Sequence, residues 1–213
     1  VGYSAGSAVN SAGDGRLTAM GWSAGSGVTD GIDNTFFGTA AGKLISGGNR
    51  NLAIGSLAFD SADGNESDNI AIGYSSLGTM NAQGSQHNVC IGNNTIADSS
   101  SAVLEGVVAI GHQAATEADN PDINYGVFIG YQAGQNIAGA ESMCVVGHQS
   151  FKLIEAGDRN TGFGYQSGYR TMTTAADNVA IGYQAIGGVH TGTLSQKNVA
   201  VGNNTLFGAM NDG

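Results

Sequence analysis

Proline is nearly missing, with one residue in 213, and charged residues make up only 11% of the chain. Aromatics are 7%, and there are two cysteines, Cys90 and Cys144. Each scarcity excludes something. Two cysteines cannot build a disulfide framework. Seven Lys+Arg stand against 17 Asp+Glu, a formal net charge of −10. Clustered cations that would track nucleic-acid phosphates are therefore lacking, so nucleic acid is not an expected partner. Attraction to an anionic membrane surface is disfavoured for the same reason. No apolar run approaches the roughly 18 residues of a membrane span, and membrane insertion is not expected. No basic segment followed by an apolar stretch opens the chain. It starts at Val1 rather than Met and reads as a piece of something longer.

Glycine is what is abundant, at 36 residues. No G-X-Y period accompanies it, which excludes collagen. The retained Val, Ile, Leu and Phe, with so little charge, argue against disorder. The glycines instead mark an internal repeat. Its clearest copies are Asn69-Ile70-Ala71-Ile72-Gly73-Tyr74-Ser75-Ser76 and Asn178-Val179-Ala180-Ile181-Gly182-Tyr183-Gln184-Ala185. The anchoring glycines are Gly2, Gly21, Gly38, Gly55, Gly73, Gly92, Gly111, Gly130, Gly147, Gly164, Gly182 and Gly202. Their sequence numbers differ by 17 to 20 at each step, and they mark twelve copies, the first truncated. One residue before each Gly stands a large apolar side chain, among them Ile54, Ile72, Ile91, Ile110, Ile129 and Ile181. A column of this kind is expected to form the stacked core. Two residues before the Gly the side chain is mostly Ala, so that core should be thin. Three residues after the Gly it is always Ala, Ser or Thr, which implies a close backbone approach from another face or another chain. Four residues before the Gly, Asn recurs as Asn34, Asn51, Asn69, Asn88, Asn160, Asn178 and Asn198.

A longer period lies over the short one. Lys43-Leu44-Ile45 returns as Lys152-Leu153-Ile154, Arg50-Asn51 as Arg159-Asn160, and Asp68-Asn69 as Asp177-Asn178, all at one common offset. The chain thus reads as two tandem six-copy blocks, 1–109 and 110–213, of one continuous solenoid.

Glycine at this density makes helices too costly. Each copy holds a short strand-forming run and then a turn signal. A unit this short cannot bury its own apolar face, but stacked neighbours can. The expected fold is therefore all-β, a parallel β-solenoid of about twelve rungs. At roughly 4.8 Å per rung it would be a rod about 58 Å long. Stacked Asn side chains would hydrogen-bond one another along it, and the Gly would supply the positive φ that ends each strand. The thin core suggests that the solenoid packs on copies of itself. A parallel homotrimer is the natural arrangement, and a self-sufficient monomer is the alternative.

The wording Asn-Val-Ala-Ile-Gly-x-x-Ala/Ser resembles the head repeats of trimeric autotransporter adhesins, which form left-handed parallel β-rolls. The fuller Gly130-Tyr131-Gln132-Ala133-Gly134 and Gly182-Tyr183-Gln184-Ala185 resemble repeats of bacteriophage tail fibres. The likeness covers nearly the whole chain. Adhesin head repeats are typically shorter than the period of this chain, and the departure tilts the reading to the phage fibre. The resemblance implies a structural shaft segment on a virion, supporting host attachment without catalysis. A bacterial surface adhesin that binds host or matrix, and a glycan-degrading tailspike, are the alternatives. A cell-surface glycan or protein receptor is the partner such proteins would meet.

Chemistry-bearing residues are sparse. Asp60, Asp63, Glu66 and Asp68 share one loop, and Asp119 and Asp122 flank Pro121 in another. Paired acids could cleave glycans, but acids in Gly/Ser/Asn-rich loops ordinarily serve solubility. Asp does not recur in the register that repeat-bound calcium needs, and no cofactor motif is present. His112 and His148 share the position after the Gly, two rungs apart and too far for one metal. Tyr3, Trp22, Tyr74, Tyr131, Tyr165 and Tyr183 occupy the same position elsewhere. That column is either a sugar-binding stripe or cross-rung packing, with packing favoured. Cys90 and Cys144 lie three rungs apart, beyond disulfide reach, and are expected to be reduced core residues.

Overall fold

A computed structural model describes residues 2–9, 16–62, 64–78, 80, 83–97, 103–116, 123–137, 139–153, 157–169, 176–188 and 196–206. The expectations placed on Val1, Asp63, Asp119, Pro121, Asp122 and Ile154 lie outside these residues. The fold is an all-β solenoid, with eleven parallel strands and no helix among the described residues. It divides into two units, Val1–Val107 and Val108–Gly213. Unit 1 holds β1 (Leu17–Met20), β2 (Asn34–Phe37), β3 (Leu52–Ile54), β4 (Ile70–Ile72) and β5 (Val89–Ile91). Unit 2 holds β6 (Val108–Ile110), β7 (Val127–Ile129), β8 (Cys144–Val146), β9 (Thr161–Phe163), β10 (Val179–Ile181) and β11 (Val199–Val201). The strands belong to repeat copies two to twelve. The described part of the first copy is turn, hydrogen-bonded to the second through Gly6 N–H to the Ala24 carbonyl and Ser23 N–H to the Tyr3 carbonyl, both 2.9 Å.

Within each unit a strand pairs with its sequence neighbours, and equivalent repeat positions face each other. Leu52, Ala53 and Ile54 pair with Ile70, Ala71 and Ile72; Val179, Ala180 and Ile181 pair with Val199, Ala200 and Val201. Because strand side chains alternate with period two, the middle residue of each short strand points inward. That residue, two before the Gly, is mostly small: Ala53, Ala71, Cys90, Ala109, Val145 and Ala180 have no exposed surface. The large apolar column expected to form the core points the other way. Met20, Phe37, Ile54, Ile129, Phe163, Ile181 and Val201 are 36–63% exposed, and Ile72, Ile91 and Ile110 are half-buried. The expectation failed because both strand faces are apolar, so polarity carries no alternation to tell inside from outside.

The core is also not thin. Its bulk enters four residues after the Gly, where Phe59, Leu77, Ile96, Phe151 and Ile186 are buried, and from the loops as Ile45, Met80, Leu104, Ile123, Ile137 and Met143. Large side chains alternate between positions instead of occupying one. Where the inward strand residue is Phe36, the residue four after the Gly is Gly42, whose Cβ would lie 2.6 Å from the Phe36 ring. Gly134 stands in the same relation to Phe128. In the next rungs the order reverses: Phe151 fills the space over Gly162 and Gly168. Close packing is thus conserved as summed volume, not as residue identity.

Candidate functional site

The repeat residues form columns that run from rung to rung within each unit. The anchoring glycines Gly21, Gly38, Gly55 and Gly73 have φ of +132 to +140°, as do Gly130, Gly147 and Gly182 at +131 to +136°. This region is essentially closed to other residues. A second constraint is contact. A Cβ on Gly38 would overlap the carbonyl of Gly55, one on Gly55 that of Gly73, and one on Gly73 that of Gly92. In unit 2 the same relation links Gly111 to Gly130 and continues through Gly147, Gly164 and Gly182 to Gly202.

The Asn column is buried, with Asn34, Asn51, Asn69 and Asn88 at most 1% exposed. Each amide bonds both a side chain and the backbone. Asn69 Nδ2 donates to Asn51 Oδ1 at 3.2 Å and to the Ser85 carbonyl at 3.0 Å. Asn69 Oδ1 accepts from the Asn88 backbone N–H at 3.1 Å and from Asn88 Nδ2 at 3.0 Å. Unit 2 repeats the arrangement: the backbone and side-chain N–H groups of Asn178 reach Asn160 Oδ1 at 2.9 and 3.1 Å, and those of Asn198 reach Asn178 Oδ1 at 2.9 and 3.0 Å. The small residues three after the Gly are mostly buried, and hydroxyls among them pair across rungs: Ser76 with Thr95 at 2.6 Å and Ser150 with Ser167 at 2.7 Å.

After the Gly, unit 2 carries a continuous aromatic column. His112, Tyr131, His148, Tyr165 and Tyr183 stack in order, with ring centroids 5.4, 5.1, 5.1 and 5.3 Å apart. All five residues are exposed, yet each ring has a neighbour along the column: the first and last pairs are stacked, at 28° and 7°, and the two pairs made by His148 are tilted, at 46° and 41°. Ring-to-ring contact at every step of the column supports cross-rung packing. Beside them runs a column that the sequence analysis does not single out. Gln113, Gln132, Gln149, Gln166 and Gln184 pass a hydrogen bond from each Nε2 to the preceding Oε1 at 2.9 Å. All five have left-handed backbones, with φ of 50–55°. Five consecutive Gln at one repeat position is the available signal. It is masked because unit 1 holds Ser23, Ala40, Leu57, Ser75 and Asn94 there, which makes the position look variable.

The acids pair locally. Arg50 grips Asp68 through Nε and Nη2 at 2.6 and 2.7 Å, and the block duplicate Arg159–Asp177 does the same at 2.7 and 3.2 Å. These hydrogen bonds from arginine hold both carboxyls below the usual carboxylate range. Arg16–Asp33, at 2.8 Å, belongs to the same column. Glu66 is buried and accepts the Gly64 N–H at 3.1 Å, and burial raises Asp60. Asp68 is thus held by an arginine and Glu66 by backbone, and neither faces a second acid across a cleft in these contacts. Among the described residues no three His, Cys, Asp or Glu come together to hold a metal. Neither cysteine forms a disulfide; Cys90 is buried, whereas Cys144 is only half-buried, on the outward strand face, which corrects its reading as a core residue. No protein-family model, curated protein or solved structure matches the chain.

Proposed function

We propose that this chain is a shaft segment of a phage tail fibre, a twelve-rung, homotrimeric β-solenoid that supports host attachment mechanically and performs no catalysis. The observation that carries the proposal is the column architecture. The Asn amides, Gln amides, rings, hydroxyls and Arg–Asp pairs are all engaged with the rung above or below. These columns of polar side chains are thus engaged in holding one rung to the next. Stability in such a stack is a sum of nearest-neighbour terms along the axis. Its working property is resistance to bending and unravelling. The twelve glycine-anchored copies and the two-block organisation fit a part lengthened by duplication.

A second reading, a bacterial surface adhesin whose solenoid itself binds host or matrix, is favoured by one observation. The unit 2 column of His112, Tyr131, His148, Tyr165 and Tyr183 is exposed and unbroken over five rungs before Asn203, while in unit 1 Thr39, Ser56 and Asn93 interrupt that position. Light scattering with sedimentation tests the first reading. A mass near three chains of 21.3 kDa with a high frictional ratio is expected. A monomer would remove the trimer and with it the fibre reading.

A further inference from the structure

Five residues before the anchoring Gly, unit 1 carries charges of alternating sign: Arg16, Asp33, Arg50 and Asp68. Arg16 meets Asp33 at 2.8 Å and Arg50 meets Asp68 at 2.6 Å, and the charge of Asp33 also acts on Arg50. Asp33, Arg50 and Asp68 share a left-handed backbone, with φ of 60, 56 and 61°. The next place on this ladder is His87, at φ 61°, whose Nε2 lies 4.0 Å from Asp68 Oδ2. Alternation calls for a cation there. The duplicated block supplies one: Arg159 and Asp177 repeat Arg50 and Asp68, and Lys197 stands where His87 does. Lys197 has the same left-handed backbone, at φ 69°, and its charge acts on Asp177 as that of His87 acts on Asp68.

We infer that His87 is a pH-sensitive rung contact: the charge ladder of unit 1 reaches the sixth copy only when this imidazole is protonated, whereas that of unit 2 ends on a permanent cation, Lys197. The inference concerns contacts within one chain and does not rest on the fibre reading. Histidine gains its charge between about pH 8 and pH 5, a range in which lysine is charged throughout. Asp68 is ionised across that range, because chiefly the Arg50 hydrogen bond holds its carboxyl below the usual carboxylate range. Acidification over this window therefore adds an attraction between the fifth and sixth copies and removes none. Other charged groups about His87 do not change the sign. On the rung above, Gly106 takes the ladder position, and Glu105, bridged to Gln86, is a further acid. Arg50 stands one rung beyond Asp68 and directs its Nε and Nη2 at that carboxylate. The His87 side chain is 59% exposed, so it exchanges protons with solvent, and its contact is screened by salt.

Two backbone amides report the two rungs. The His87 N–H bonds the Ser67 carbonyl at 3.4 Å, and the Lys197 N–H bonds the Ala176 carbonyl at 3.2 Å. Native-state hydrogen exchange of the full 213-residue chain at low ionic strength, corrected for the intrinsic pH dependence of exchange, compares them. Between about pH 8 and pH 5.5 the protection of the His87 amide should rise about two- to fivefold, as suits an exposed pair, while that of Lys197 stays level. His87→Lys should hold the high protection at both pH values, and Lys197→His should transfer the response to unit 2. The gain should vanish in about 1 M salt. In an NMR titration, Asp68→Asn should lower the His87 imidazole midpoint and leave those of His112 and His148 in place. A His87 midpoint unmoved by Asp68→Asn overturns the inference, as does level protection of the His87 amide in the wild type. An equal rise in His87→Lys also overturns it, because the response would then come from the falling net negative charge and not from this imidazole.

Discussion

Replacing Asn69 by Ala should be among the most damaging single changes in unit 1, and the reason lies in what the amide bonds. Asn69 is fully buried and makes four side-chain hydrogen bonds, two donated and two accepted. Its donated bonds end on acceptors with other donors: the Asn51 Oδ1 also receives the Asn69 backbone N–H, and the Ser85 carbonyl also receives the Ser67 N–H. Losing those costs about 0.5–1.5 kcal/mol each. The accepted bonds differ. Asn88 Nδ2 retains the Leu104 carbonyl, but the Asn88 backbone N–H has Asn69 Oδ1 as its acceptor. Burying that donor unpaired costs about 1–3 kcal/mol. The expected loss is therefore about 3 kcal/mol. Gln149→Ala provides the contrast. Gln149 also sits mid-ladder, bonded to Gln132 and Gln166 at 2.9 Å, but it is half-buried and bonds only other side chains. Water can replace those partners, so the loss should stay near about 1 kcal/mol or below. Denaturant titration of both variants at equal protein concentration, with native-state hydrogen exchange of the Asn88 amide, measures the difference. Equal losses in the two variants would refute the argument that the Asn column matters through the backbone it holds.

Other consequences can be checked in the same way. Gly55→Ala forces a Cβ into the Gly73 carbonyl at φ +132° and should cost upward of about 3 kcal/mol, whereas Gly139→Ala, at φ +69° with open space around the Cβ, should cost only about 1 kcal/mol by thermal unfolding. Phe151→Ala empties the space over Gly162 and Gly168 and should cost about 3–5 kcal/mol. Adding Gly168→Ile, the residue type at the equivalent Ile96 and Ile186, should recover part of it in a double-mutant cycle. For pH, Asp68 and Asp177 have folded pKa values below the unfolded 3.8, so their contribution is present above that value and lost as pH falls through the folded pKa. The stability gap between wild type and Asp68→Asn/Asp177→Asn should accordingly close at low pH. Asp60 has the opposite sign: burial raises it, so its ionisation destabilises as pH rises, and Asp60→Asn should flatten that limb of the melting-temperature profile.

The rung period, the all-β class and the two organising columns are legible because each rests on a residue with a narrow conformational or bonding niche. Gly55 cannot be replaced without meeting Gly73, and Asn51 cannot be shortened without abandoning a buried amide. The inward face is not legible. Ile54 is larger than Ala53 and looks more core-like, yet the interior accommodates Ala53 and is filled by Phe59 from the turn beyond. No single column advertises this, because Phe36 with Gly42 and Ala53 with Phe59 divide the same space in opposite ways. The candidate charge pairs are visible as a repeated Arg-Asn and Asp-Asn wording, but not as a ladder. That Arg50 meets Asp68 depends on both backbones being left-handed, at φ 56° and 61°, in residues that seldom adopt it unaided.

Those left-handed residues have a kinetic consequence. Among the described residues thirty that are not glycine have positive φ, including Leu57, Phe59 and Gln166, and each is disfavoured by about 1–2 kcal/mol in an isolated segment. A lone rung would have to adopt several such conformations with nothing to hold them. A rung laid on a finished one finds the acceptors already placed, as Gly55 N–H does in the Phe37 carbonyl and Leu57 N–H in that of Thr39. Folding of this chain is therefore a growth process with a costly seed and inexpensive extension. It should show a lag governed by the first stacked rungs and then advance along the axis one copy at a time, each layer serving as the mould for the next.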